Sequence, residues 1–231
     1  MPDLVVPQRE LYARALWQKG VILSSMTDMH ILQIHDPATA LRAAEVLRAG
    51  GVVLFPTDTL YCLGADALSN AAVDTLFTIK SRDPRKPIHA LVSDLAMASR
   101  YGVLNELGQT ILARAPKGKV SLVVQKLPSM QQGIMRNIDS FGFRIPDHLL
   151  TQAILSAFGG PITATSANTS GEQPPRQDLD SILAQMGSSA SLIGLAIDGG
   201  MLGECLPSTV VDVSNGEALI LREGAVRRED I

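Results

Sequence analysis

Cysteine is scarce in this sequence: its 231 residues contain two, Cys62 and Cys205. Neither has a neighbour at zinc-knuckle spacing, and the pair suggests no disulfide framework, so a reducing cytosol fits the usage. Positive charge is also in short supply. Lysine and arginine number 20 against 23 acids, which gives a formal net charge of −3 and a pI near 5.8. That balance excludes sequence-independent clamping of nucleic acid by an overall basic surface. No apolar run approaches the roughly twenty residues needed to span a bilayer. The N-terminal stretch lacks the charged n-region and long h-region of a signal peptide. A cytoplasmic protein without membrane contact is the expectation. The four histidines, His30, His35, His89 and His148, fall at no metal-ligand spacing, and no serine sits in a Gly-x-Ser-x-Gly elbow. No metal site is assigned. His89 alternates with strand residues and reads as a satisfied structural histidine.

What is present is an ordinary globular composition, 46% hydrophobic and 19% charged, long enough to bury a proper core. Residues 1–29 stand apart: "QRELYARALWQKGVI" has an amphipathic helical pattern, and Met26 and Met29 both precede a clean helix signal. The simplest reading is an N-terminal extension, with translation starting at one of those methionines and the domain covering 30–231. From Asp36 the chain becomes regular. Asp36-Pro37 reads as a helix start for "ATALRAAEVLRA" and Gly50-Gly51 as its stop. "VVLF" then reads as a buried strand, "NAAVDTLFTIK" and "LNELGQTILARA" as helices, and "IHALV", "VSLVV" and "FGFRI" as strands. Asp147 is expected to cap "HLLTQAILSAF". "PITAT", "DLDSILAQM", "LIGLAID", "STVVDV" and "ALILR" complete an unbroken mixture of helices and strands. The fold class is α/β: a single domain with a twisted mixed sheet flanked by helices and a concave basic cleft.

Polar residues gather where these strands end. After Pro56, which cannot donate to a ladder, Thr57, Asp58 and Thr59 occupy a strand's carboxyl end. That is where open α/β sheets hold ligands, and also where turns recruit Thr and Asp. "KSRDPRKP" sets Lys80, Arg82, Arg85 and Lys86 in a loop stiffened by two prolines. A charge run is commonly a solvated face, but Arg forks and Lys point charges fixed together suit a polyphosphate. "TATSANTSG" crowds Thr165, Ser166, Asn168, Thr169 and Ser170 behind an apolar strand, as a turn or as a neutral hydrogen-bonding wall. Ser208 and Thr209 precede one closing strand, and Arg222 ends the other. The inventory suits a small polar ligand with phosphates and does not itself name a reaction.

In order, "PTDTLYCLG", "KSRDPRKP", "FRIPDH", "PITATSANTSG", "IDGG", "PSTVVD" and "LREGA" resemble the motifs of the YrdC-like family, from about Asp36 to Ala225. Characterised members of that family are threonylcarbamoyl-AMP synthases. The resemblance implies a nucleotidyltransferase that joins L-threonine, bicarbonate and ATP into threonylcarbamoyl-AMP and pyrophosphate. The product goes to downstream threonylcarbamoyl-transfer proteins that modify tRNA. It further implies Lys80 and Arg82 as the catalytic pair. Thr59, Ser166, Ser208 and Arg144 fall to threonine, and Lys80, Arg82, Lys86, Ser121, Asn168, Arg176 and Arg222 to ATP. Mg²⁺ is expected with the triphosphate, held by phosphate oxygens and water. A threonine carbamate is already an oxyanion, so positioning and charge stabilisation suffice and no catalytic triad is required.

Two departures from the family pattern stand out. Cys62 follows Tyr61 where a glycine is usual, and "PKGKVS" replaces a Pro-Gly-Pro turn before Ser121, adding Lys117 and Lys119. The chain resembles the short, single-domain type. The alternative function is a paralogue of the same fold without this activity, acting as an RNA-binding or ribosome-maturation protein on tRNA or double-stranded RNA. Affinity that falls steeply with salt and ignores threonine would mark it. A carbamoyl-transfer module of hydrogenase maturation shares the fold but carries zinc-finger cysteine pairs absent here.

Overall fold

The computed structural model describes residues 29–172, 175, 177–203 and 205–231. The expected N-terminal helix and Arg176 lie outside the described residues. Among these residues eleven strands and six α-helices alternate: β1 His30–Gln33, α1 Thr39–Arg48, β2 Val52–Pro56, β3 Tyr61–Gly64, α2 Asn70–Ile79, β4 His89–Leu91, α3 Leu95–Ala98, β5 Gly102–Val103, α4 Glu106–Arg114, β6 Val120–Lys126, β7 Ser140–Arg144, α5 Leu149–Phe158, β8 Ile162–Ser166, α6 Leu179–Met186, β9 Ile193–Asp198, β10 Thr209–Asp212 and β11 Leu219–Arg222. They build one mixed sheet in the order β1-β9-β2-β3-β8-β4-β7-β6-β10-β11, with β5 added on β6. The α/β expectation holds. Tyr61–Gly64 is a strand that the polar reading of "PTDTLYCLG" passed over, the return arm of an antiparallel hairpin with β2.

Local chemistry sets the helix ends. Ser69, Asn105 and Asp178 each accept a backbone N–H from the first turn of α2, α4 and α6, satisfying donors the helix itself cannot. At the end of α1, Gly50 N–H bonds Leu47 O and Gly51 N–H bonds Val46 O, with Gly50 at φ 81°. This is a Schellman stop that a residue without Cβ adopts at no steric cost. Two expected caps are corrected. Asp36 makes an Asx turn to Ala38 N–H, 2.8 Å, while Ala38 holds the cap position of α1 with no side-chain bond. At α5 the cap position is His148, not Asp147, and its Nδ1 lies 3.0 Å from Thr151 Oγ1.

Strand alternation divides the sheet into two unequal cores. On one face Leu54, Tyr61, Leu63, Ala90, Leu122, Phe141, Phe143 and Val211 pack with α2 and α6 along nearly the whole sheet. On the other, Val53, Phe55, Cys62, Leu91, Ile162, Leu195 and Ile197 pack with α1 and α5. This second core takes no residue from β7, β6, β10 or β11. On that same face those strands carry Arg144, Ser121, Val210 and Arg222, aligned as Arg144↔Ser121, Ser121↔Val210 and Val210↔Arg222. A period of two thus places a guanidinium at each end of a four-strand row, with a hydroxyl between them.

Candidate functional site

The row is met from above by the β2–β3 loop. Thr57 Oγ1 accepts the N–H groups of Thr59 and Leu60, 3.2 Å each, and donates to Leu60 O, 2.8 Å, so it folds the turn. Thr59 Oγ1 lies 3.1 Å from Thr57 Oγ1 and both residues are buried. The two readings of this loop are therefore compatible: Thr57 makes the turn, and the turn sets Thr59. Asp58 points the other way. Its Oδ1 accepts from Arg144 Nη1 at 2.7 Å, while its Oδ2 has no hydrogen-bond partner and sits 3.7 Å from Lys119 Nζ. Lys119 also donates to Asp58 O, 2.9 Å, and Gly118 O accepts from Arg144 Nη1, 3.0 Å. The "PKGK" turn is thus fastened to the hairpin tip through Arg144. Sequence reading missed Asp58 and Lys119 as partners because their contacts span 61 residues.

Across the row, Ser121 Oγ and Ser208 Oγ are 2.8 Å apart, and Arg222 Nη2 donates to Ser208 O at 2.7 Å. Arg144 spends only Nη1 on the protein, leaving Nε and Nη2 without partners among the described residues. That free edge is the fork that recognises a carboxylate bidentately.

The second group comes from the end of α2. Lys80, in the C-cap position, is almost fully buried, and Nζ donates to Ser166 O, to Asn168 O at 2.6 Å and to Asn168 Oδ1 at 3.4 Å. An ammonium has three protons, so all are directed at the end of β8 and the segment that follows it. Ser170 N–H returns a bond to Lys80 O, 2.9 Å. Ser166 Oγ donates to Asn168 Oδ1, while Asn168 Nδ2 holds Thr169 O and Glu172 O. Burial, then Arg82, lower the Lys80 pKa to about 8. Ser81 takes φ 48° and turns the chain so that Arg82 Nη2 bonds Pro87 O, 2.8 Å, with Nε buried and unpartnered. Lys86 stays exposed in this loop near Asp83, which Arg85 pairs at 2.8 Å. The structure therefore brings together Thr59, Lys80, Arg82, Ser121, Arg144, Ser166, Asn168, Ser208 and Arg222, and it leaves Lys86 at the periphery.

Two further residues, Cys62 and His89, stand between the groups. Cys62 aligns with Ser166 on the β3–β8 pair; burial pushes its thiol pKa up, against the pull of Arg144, Thr57 and Lys80. His89, read as a satisfied structural histidine, has no hydrogen-bond partner for either ring nitrogen among the described residues. Burial, then Arg222, Arg82 and Arg144, lower its pKa to about 4. Among the described residues no cluster of three or more His, Cys, Asp or Glu could hold a metal ion, and no helix is long and apolar enough to cross a membrane.

A mixed α/β sheet with guanidinium, ammonium and hydroxyl groups gathered about the uncovered part of one face has the chemistry that suits small anionic, polar ligands. The sequence pattern of the Sua5/YciO/YrdC family, described as "Telomere recombination", matches residues 45–224, and the chain belongs to that family. It is similar to the threonylcarbamoyl-AMP synthase of Bacillus subtilis, 31% identical over 208 residues, covering 87% of this chain and 57% of that protein. It is also similar to that of Chromohalobacter salexigens, 30% identical over 178 residues, covering 77% and 94%. Among solved structures, P. abyssi Sua5 complexed with L-threonine superposes with a TM-score of 0.79 at 27% identity, over 88% of this chain and 59% of that one. The chain thus spans little more than half the length of two of these relatives.

Proposed function

We propose that this protein is a threonylcarbamoyl-AMP synthase: a cytoplasmic nucleotidyltransferase that makes threonylcarbamoyl-AMP and pyrophosphate from L-threonine, bicarbonate and ATP. The product would supply transfer proteins that modify tRNA. The observation that carries this reading is the pairing of two unlike subsites on one sheet face. Thr59, Ser166 and Ser208 with the free edge of Arg144 suit an amino acid, having hydroxyls for its polar groups and a fork for its carboxylate. Arg82, Arg222, Ser121 and Asn168 suit a nucleotide triphosphate. The relatives named as threonylcarbamoyl-AMP synthases support the same assignment, as does the relative seen with threonine.

In this mechanism the threonine ammonium and bicarbonate yield a carbamate, a water and a proton. A carbamate oxygen attacks the α-phosphorus, the new O–P bond forms, and the bond to the bridging oxygen breaks to release pyrophosphate. The protein's part is orientation and charge stabilisation. Arg82 and Arg222 neutralise charge on the phosphates. Lys80 holds Ser166 and Asn168 in place and reaches a phosphate by exchanging its long bond to Asn168 Oδ1. Ser166 completes the wall around threonine, and Lys86 approaches the triphosphate from its loop, while Arg176 keeps the ATP role that the family resemblance implies. Magnesium would arrive on the triphosphate. The residues here are cations and hydroxyls, with Asp58 already paired to Arg144, a donor set that does not fit a protein-held magnesium, so no step is routed through one.

The test is pyrophosphate release from ATP with magnesium, with and without L-threonine and bicarbonate, and with serine as control. Release that requires both threonine and bicarbonate supports the synthase. No release from folded protein refutes it and returns attention to the RNA-binding paralogue.

A further inference from the structure

His89 stands on β4, at the border of the uncovered part of the sheet face, and three features of its setting converge. First, its ring packs against β7: a Cβ built on Gly142 would stand 2.2 Å from His89 Cδ2 and 3.0 Å from Nε2. The imidazole fills the space that the missing side chain leaves. Second, the charged groups facing it come from three separate elements, Arg82 after α2, Arg144 on β7 and Arg222 on β11. The remaining neighbours on that face, Ala164 of β8 across from it and Val123 of β6 beyond Gly142, do not titrate. Third, the ring is half-buried, and neither nitrogen has a hydrogen-bond partner among the described residues. The ring therefore spends neither nitrogen on the protein and keeps a donor to offer a ligand among these guanidiniums.

We propose that His89 is a further ligand-contacting residue of this site, donating a hydrogen bond from its ring to the polyphosphate of the bound nucleotide and taking up a proton as that polyphosphate binds. The inference rests on the reading of the site as nucleotide-binding. The sign follows from the surroundings. In the free protein burial and the arginines keep the ring neutral down to about pH 4. A polyphosphate neutralises those arginines and adds negative charge beside the ring, which favours the imidazolium and raises its pKa. Binding therefore takes up a proton in the window between the free and bound midpoints, and affinity rises as pH falls through it.

The experiment uses the full chain and inorganic tripolyphosphate as probe. The four histidine Cε1–H signals are followed by NMR against pH, with His89 assigned by its loss in His89→Gln. Tripolyphosphate should raise the His89 midpoint by at least about one pH unit and leave His30 and His35 unmoved. In calorimetry His89→Gln should weaken tripolyphosphate about tenfold at pH 6, less at pH 8, with its loss of pH dependence measured against the parent chain so that the probe's own titration cancels. Gly142→Ala, which displaces the ring, should reproduce that loss. If tripolyphosphate binds while the His89 signal and midpoint stay fixed, the proposal is overturned and the nucleotide-site reading stands. If tripolyphosphate and ATP do not bind at all, both fall.

Discussion

Arg144 Nη1 lies 2.7 Å from Asp58 Oδ1, with the two side chains 6% and 7% exposed, and this pair ties the tip of the β2–β3 hairpin to the middle of the β4-β7-β6 ladder. Removing one member of a buried pair leaves the other charge without compensation, so Asp58→Ala should cost about 3–5 kcal/mol. Lys119 stands 3.7 Å away and is 29% exposed; Lys119→Met should therefore cost under about 1 kcal/mol. Urea denaturation of both variants checks the contrast. Equal costs would mean that Asp58 serves the turn and not Arg144.

Arg82→Ala should leave the fold intact, since Arg82 gives only one bond to its own loop. It should lower ATP-dependent pyrophosphate release by about a hundredfold or more, the scale of losing one preorganised donor in an active site. Unchanged release would remove Arg82 from the mechanism.

Lys80 supplies a pH prediction. Its pKa sits at about 8, below the ordinary 10.5, because burial and Arg82 disfavour the charged form. Between those values the unfolded chain holds a proton that native Lys80 has lost, so this group alone makes the fold more stable as pH rises through the window. Activity should move the opposite way. Above pH 8 the amine offers two donors instead of three, loosening Ser166 and Asn168, and kcat/KM should fall with a midpoint near 8. Burial pushes Cys62 upward, so a Cys62→Ala variant should keep the same alkaline limb.

The thiols should separate cleanly. Cys205 is exposed and Cys62 buried, and only the thiolate reacts. Iodoacetamide followed by mass spectrometry should label Cys205 in native protein and Cys62 only after unfolding. Rapid native labelling of Cys62 would mean that the β3–β8 pair opens.

Much of this was legible in the residues, and the failures have a common cause. Helical spacing, short apolar runs and the Gly50-Gly51 stop are local, and local signals produced the right elements; the caps at Ser69, Asn105 and Asp178 were equally local and were not read. The strand "YCLG" was passed over because four residues beside a polar loop give little pattern, and pairing with β2 and β8 decided the matter. Asp36 and Asp147 are one-to-two-residue errors of the kind that alternative turns create. His89 was misread for a different reason: alternation puts it on a face, but only the strand order reveals that α1 and α5 stop short of that part of the face. The same holds for Lys119, whose use depends on where Asp58 arrives.

Gly118 brings these strands of argument to one position. It holds φ +73°, and a Cβ there would come within 2.2 Å of Asp58 Oδ2 and 3.0 Å of Asp147 N. Gly118→Ala therefore carries a conformational cost of about 1 kcal/mol and, beyond it, must displace a carboxylate that Arg144 and Lys119 hold in place. Moving the carboxylate pulls on its Oδ1 bond to Arg144, so the guanidinium turns with it and its free edge is displaced. On the proposed function the expected result is a raised KM for L-threonine with a much smaller change in KM for ATP, since Arg82 and Asn168 are built on other segments. Steady-state pyrophosphate release at varied threonine and varied ATP measures both. A variant that is destabilised yet shows the parent KM for threonine would show that the Asp58–Arg144 pair is scaffolding alone, with the amino acid recognised elsewhere on the face.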